Sequence, residues 1–199
     1  MRGRHLAAVV ALAVSATLAL AGCSSEPLAD QYKAGSGKNY VAGDGTVTEI
    51  AQKDRAAAVE FSGTTESGDP FSSADQAGQV MVVNFWYAAC APCRAEAGDL
   101  EKINKEFGGK GATFVGVNVR DQAATAASFE QTYSVGYPSI IDAQTGSVQL
   151  AFAGTVPPNA VPTTLVLDAK HRVAARILGQ LQSPDILETL VRDTIAETD

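Results

Sequence analysis

The most constraining feature of the chain is Cys90-Ala91-Pro92-Cys93, which stands between an apolar run and a helical pattern. The run Val80-Met81-Val82-Val83-Asn84-Phe85-Trp86 reads as a strand. Its nearly unbroken apolarity predicts burial on both faces, as in a parallel sheet. From Ala91 to Phe107, residues Leu100, Ile103, Asn104 and Phe107 fall at helical spacing. A C-x-x-C at a strand-to-helix junction suits a pair that cycles between dithiol and disulfide. The unsatisfied N–H groups and dipole of a helix N-terminus stabilise a thiolate, the form that attacks disulfides. A bridge three residues long closes almost no loop and adds little chain-entropy stabilisation, so the pair is there for chemistry.

The chain has three cysteines in 199 residues, so Cys23 needs its own explanation. Arg2 and Arg4 precede an apolar stretch, Leu6 to Leu20, which ends in Leu20-Ala21-Gly22-Cys23. This is the layout of a secretory signal. Its ending resembles the lipobox of bacterial lipoproteins, in which the cysteine takes a diacylglyceryl group and becomes the first mature residue. An uncleaved anchor and a plain signal peptide with a leftover thiol are the alternatives. All three place the remainder outside the cytoplasm. The expected organisation is a lipoprotein signal peptide at 1–22, a lipidated flexible tether at 23–45 and a folded domain at 46–199. The tether, rich in Ser, Gly, Asp and Lys, shows no periodicity.

Charge and residue inventory exclude several chemistries. The formal net charge is −7, and loss of Arg2 and Arg4 with the leader takes it to about −9. An acidic surface argues against nucleic acid and against electrostatic attachment to anionic lipid, so the membrane would be held through the lipid on Cys23. Cys90, Cys93 and His171 are too few for a structural zinc site, and no metal is expected. Arg94 follows the second cysteine where a c-type haem site needs His. His171, in Asp168-Ala169-Lys170-His171-Arg172, reads as a solvated turn residue rather than a hydrolase base. Neither a G-x-S-x-G nor a phosphate-binding G-x-x-x-x-G-K-[ST] occurs.

Further along, Ala112 to Val119 reads as a strand, Ala123 to Tyr133 as a helix, Pro138 to Asp142 as a short extended piece and Gly146 to Phe152 as a helical turn. Thr163 to Leu167 and Arg172 to Ile177 read as two strands joined by a tight turn. Ser183 and Pro184 open a final helix. Ahead of the motif, Thr46 to Ile50 and Ala57 to Ser62 are strand candidates expected to pair as an N-terminal β-hairpin. The pattern implies a β-α-β half followed by a β-β-α half. Val161-Pro162-Thr163 directly precedes a strand, at a position where proline cannot continue a ladder.

Phe85-Trp86-Tyr87-Ala88-Ala89-Cys90-Ala91-Pro92-Cys93, followed later by Val161-Pro162-Thr163, resembles the thioredoxin-fold oxidoreductases. Val83-Asn84-Phe85-Trp86 before the motif and Arg94-Ala95-Glu96 after it narrow the resemblance to the membrane-tethered TlpA/ResA-type branch. The resemblance implies an α/β thioredoxin-like fold, a central mixed β-sheet flanked by helices, with an N-terminal hairpin and a central insertion. It implies an exposed Cys90 as attacking thiol and a largely buried Cys93 as resolving thiol. It also implies a cis Pro162 facing the disulfide, Val161 backbone groups open to a substrate segment, and Pro92 constraining the start of the helix. Trp86 would pack beside the site or serve only the core. The redox-active cysteine pair replaces any cofactor. The implied substrates are disulfide-bearing proteins, apocytochrome c among them, with a membrane thiol-transfer protein as electron donor. The expected state is a lipid-anchored monomer on the extracytoplasmic face of the cell membrane.

Two departures matter. Asn84 occupies the position of thioredoxin's buried Asp, which makes Glu96 the replacement candidate for a proton relay. Glu96 is equally readable as a solvated residue of the first helical turns, since i,i+3 spacing does not orient a side chain. Ala89 replaces a bulky residue beside the first cysteine. An oxidase that inserts disulfides and a redox-silent binding protein of the same fold remain alternatives. A peroxidase is a weaker rival, because the chain lacks Pro-x-x-x-Thr-x-x-Cys.

Overall fold

The computed structural model describes residues 47–157 and 160–197. The signal segment, Cys23 and the tether lie outside the described residues. The elements are β1 (Val47–Glu49), β2 (Ser62–Thr64), β3 (Pro70–Ser72), β4 (Val80–Trp86), α1 (Ala91–Phe107), β5 (Ala112–Asn118), α2 (Ala123–Tyr133), β6 (Ser139–Ile141), α3 (Ser147–Ala151), β7 (Thr163–Leu167), β8 (Val173–Leu178) and α4 (Pro184–Ala196). Six of the strands form one mixed sheet in the order β1-β8-β7-β4-β5-β6. The β4-β5-β6 side is parallel, while β4-β7, β7-β8 and β8-β1 are antiparallel.

Strand β4 lies between β5 and β7, and all seven of its residues are buried. Its side chains alternate between the faces, as a strand's must. Met81, Val83 and Phe85 join Phe61, Phe152, Leu165 and Leu167 in a core where Phe85 meets Phe152 edge-on at 5.6 Å. The alternate residues Asn84 and Trp86 face the other way, toward α1 and the cysteines. The polar Asn84 in an otherwise apolar run thus falls on the functional face. Helix α1 stops at Gly108, and Gly109 then takes a positive φ that turns the chain into β5.

Three expectations need correction. The N-terminal hairpin is built from β2 and β3, while β1 joins the edge of the main sheet beside β8. Ala57 to Phe61 does not extend the predicted strand, because the Phe61 N–H donates to Ser73 Oγ instead of a ladder carbonyl. His171 is buried, not solvated. It adopts φ 56° in the β7–β8 turn, and its Nε2 lies 3.2 Å from the Gln76 carbonyl.

The same turn contains a buried ion cluster. Asp168 Oδ2 lies 3.0 Å from Arg55 Nη1 and 2.7 Å from Arg172 Nη2, and Oδ1 accepts the Lys170 and Arg172 N–H groups. Burial pushes the Asp168 carboxyl up, but the Arg172 N–H, Arg55 and the remaining bonds outweigh it and hold the group below its ordinary value. Replacing Asp168 with Ala takes away one of Arg55's two carboxylate partners and the turn's acceptor. The expected loss is about 3 kcal/mol in denaturant unfolding at pH 7, the low end for a broken buried pair because Glu197 still holds Arg55. An unchanged unfolding midpoint would contradict this assignment.

Candidate active site

The segment after β4 turns sharply to start α1, and side chains from the β5–α2 connection hold it. Asn118 Oδ1 accepts the N–H groups of Arg120 and Asp121, which folds that connection into an Asx turn. The turn presents Asp121 Oδ2 to the Ala88 N–H at 2.6 Å, with Asn118 Nδ2 donating to the same oxygen. On the other side, Arg94 Nη1 donates to the Ala88 carbonyl at 3.0 Å. The cysteine loop is therefore clamped before chemistry begins.

Cys90 is the N-cap of α1, and Pro92 lies in its first turn, where a missing N–H is harmless. Cys90 and Cys93 form a disulfide with Cα atoms 5.2 Å apart. The Cys93 N–H donates to Cys90 Sγ at 3.2 Å. After reduction, that bond and the helix dipole both favour negative charge on Cys90. The expectation of an exposed Cys90 is not met: each cysteine is only 3 % exposed. Tyr87, Ala88 and Val161 pack on the cluster that contains both residues, whereas Ala89 and Pro92 remain exposed beside it.

The Val161–Pro162 peptide is cis. Pro162 is buried, and Val161 contributes to the rim over the cysteines. Among the described residues the peptide groups of Val161 have no hydrogen-bond partner. Trp86 ends β4 with its ring 4.3 Å from Phe129 of α2, and its Nε1–H donates to Ser139 Oγ at 3.1 Å. It both packs the core and lies beside the redox pair.

Glu96 is buried at 1 % exposure, which removes the solvated reading. Its Oε1 accepts from Asn84 Nδ2 at 3.1 Å, and its Oε2 accepts the Leu181 N–H at 2.8 Å. Asn84 also donates to Thr164 Oγ1, so one amide ties α1, β4 and β7 together. Burial pushes the Glu96 carboxyl up to about 7, although the Leu181 and Asn84 bonds pull it back. A small recess of about 10 Å³ is lined by Asn84, Trp86, Cys93 and Ser139 among other residues. The recess brings Glu96's partner Asn84 to the same space as the inner sulfur.

Sequence reasoning passed over Asp121, Asn118 and Thr164 as site residues. An Asn at a strand end with Asp three residues later is a usable turn signal. Thr164 has none, because its partner is 80 residues away.

The AhpC/TSA family model matches residues 55–176. The chain belongs to the AhpC/TSA family. Among solved structures of similar proteins, a DsbF homologue from Corynebacterium diphtheriae is 34 % identical with a TM-score of 0.67, covering 78 % of this chain and 98 % of that one. A secreted thiol-disulfide isomerase from Corynebacterium glutamicum is 32 % identical with a TM-score of 0.69, covering 79 % and 96 %. The thiol:disulfide interchange protein HelX of Rhodobacter capsulatus is 31 % identical over 130 residues, 65 % of this chain and 69 % of HelX. This AhpC/TSA-family member is a thiol–disulfide oxidoreductase of thioredoxin-like fold carrying the Cys90–Cys93 pair.

Proposed function

We propose that the chain reduces protein disulfides outside the cytoplasm, tethered to the membrane through lipid on Cys23. The Cys90 thiolate attacks a client disulfide and forms a mixed disulfide, releasing one client sulfur as thiolate. Cys93, deprotonated toward Glu96, then displaces the second client sulfur and closes the Cys90–Cys93 bond. Two electrons pass to the client, which leaves as a dithiol after protonation. The peptide groups of Val161, without a hydrogen-bond partner among the described residues, suit an extended client segment laid beside the sulfurs.

The observation that carries the direction is the buried Glu96 one turn after Cys93. Strong oxidants owe their potential to a stabilised reduced form. Among the described residues one N–H supports Cys90, Ala91 and Pro92 bring no charge, and the Glu96 carboxylate one turn on opposes thiolate formation. Such a pair favours the disulfide and therefore gives electrons away. A membrane thiol-transfer protein would recharge it, and apocytochrome c is the proposed client. The relative named an isomerase favours a second reading, in which Cys90 attacks and leaves without closure by Cys93.

The test is the reduction potential of the pair, obtained by equilibrating the protein in graded thiol–disulfide buffers and counting alkylated cysteines. A value near that of thioredoxin, about −270 mV, is expected. A value near about −180 mV would move the assignment to isomerisation, and one near about −120 mV would sink the reductant reading.

A further inference from the structure

An apolar groove of about 340 Å³ lies beside Val161, and the reaction above does not use it. Its floor holds Phe85, near the end of β4, and Val119, just past β5. Its walls are α3 and the stretch 153–157. Polar bonds fix both walls. The Gln149 backbone N–H and its side-chain Nε2–H both donate to Oδ2 of the buried Asp142 at 3.0 Å. Arg176 of β8 donates from Nη1 to the Thr155 carbonyl at 2.8 Å, and the Val156 N–H donates to the Phe152 carbonyl at 3.0 Å. The groove is thus preformed, as binding sites usually are. None of the residues that line it is ionisable. Leu150 of α3 also lines it, and this is the large hydrophobic residue that stands exposed, at 75 %, among the described residues.

One residue joins the groove to the redox site. Val161 lines the groove and also packs on the cluster that holds Cys90 and Cys93. The two spaces lie on opposite faces of the sheet. Phe85 of the groove floor and Trp86 of the cysteine cluster are successive residues of β4, and their side chains point opposite ways. A client segment laid along the Val161 peptide groups is extended, so its successive side chains alternate in the same manner. When its cysteine turns to the sulfurs, the residue beside that cysteine turns to the groove. A charged side chain there would lose its water and meet no counter-charge, whereas an apolar one leaves water for Phe85, Val119 and Leu150.

We propose that this groove receives the residue next to the client's cysteine and selects a large apolar side chain, with Leu150 as a specificity-determining residue. The inference rests on the reading above, in which the client lies along Val161 and is reduced by the Cys90–Cys93 dithiol. The groove acts on docking and leaves sulfur exchange to the two cysteines on the other face. Clients in which an apolar residue adjoins the cysteine are therefore bound more tightly than clients in which a small polar residue does.

The test uses two disulfide-linked peptide dimers that differ only in the residues flanking each cysteine, Ser in one dimer and Phe in the other. The full chain, carrying Cys23→Ala so that only the redox pair reacts, is reduced and mixed with excess dimer, and free peptide thiols are followed. Each event moves two electrons from the Cys90–Cys93 dithiol to the peptide disulfide, yielding two peptide thiols and the protein disulfide. The Phe dimer should reach half of its limiting rate at about tenfold lower concentration than the Ser dimer, as expected for partly burying an aromatic side chain, with similar limiting rates. Leu150→Asp should remove most of that preference, and Leu150→Met should restore it. Equal half-saturation concentrations for the two dimers would overturn the proposal, as would a preference that Leu150→Asp leaves intact. Sedimentation of the free protein as a dimer that Leu150→Asp dissociates would give the groove to a second copy of the chain and overturn it too. The wild-type comparison decides the matter even if a variant does not fold. Cleavage of neither dimer would defeat the reductase reading, and this inference with it, a failure distinct from cleaving both alike.

Discussion

Cys93→Ala protein, prepared with Cys23→Ala so that one thiol remains, accumulates a mixed disulfide through Cys90 when mixed with a disulfide-bearing protein, and its turnover falls to background. The reason is geometric. The bond that supports charge on Cys90 comes from the backbone N–H of residue 93, which alanine retains. Attack therefore survives while closure does not. The adduct should persist, because Tyr87, Ala88 and Val161 pack around the sulfurs and hinder external thiols. Intact-mass analysis should show close to one client per chain, and Cys90→Ala should show none. Rapid turnover by the Cys93→Ala protein would mean that closure by Cys93 is dispensable, leaving the isomerase reading.

Glu96→Gln is expected to make the protein more stable above neutral pH and less active. The Glu96 carboxyl titrates at about 7 in the fold, against roughly 4.3 in an unfolded chain. Between those values the folded form holds a proton that the unfolded form has lost, so stability falls as pH rises and levels off above about 7. The penalty at pH 8 is of the order of 3 kcal/mol, reduced in the variant by whatever hydrogen bonding the amide disturbs. Wild type and variant should therefore agree near pH 4 in denaturant unfolding and separate by pH 8. Client reduction should slow by about 10² and lose its inflection near neutrality, the range for removal of a general base. A variant that is fully active with an unchanged pH profile would reduce Glu96 to a structural residue.

The elements that carry the site were legible because each has a strong local signature. The unbroken run of β4, the proline-opened helix after Cys90 and the Ser183-Pro184 start of α4 fall where periodicity and capping put them. Errors arose where a distant partner decided the outcome. β1 reads as one arm of a hairpin until β8, well over a hundred residues later, takes it as an edge strand. His171 looks solvated because nothing nearby in sequence reveals Gln76 as its neighbour. The resemblance implies an exposed Cys90, whereas here it lies buried in a cluster on which Tyr87, Ala88 and Val161 pack. Helical spacing left Glu96 undecided, and the Leu181 N–H, 85 residues on, settles its burial.

The ends of the main sheet carry a consequence for how this protein meets other chains. β6 is not a bare edge: Thr65 bridges to Ile140, the Glu66 N–H donates to the Ser139 carbonyl, and the Glu66 carboxylate takes the Ser139 N–H. At the far side β1 is only three residues long. A bare sheet edge exposes unpaired N–H and C=O groups on which another chain can pair. Here the β2–β3 hairpin works as a gatekeeper that leaves little ladder for a stray strand to extend.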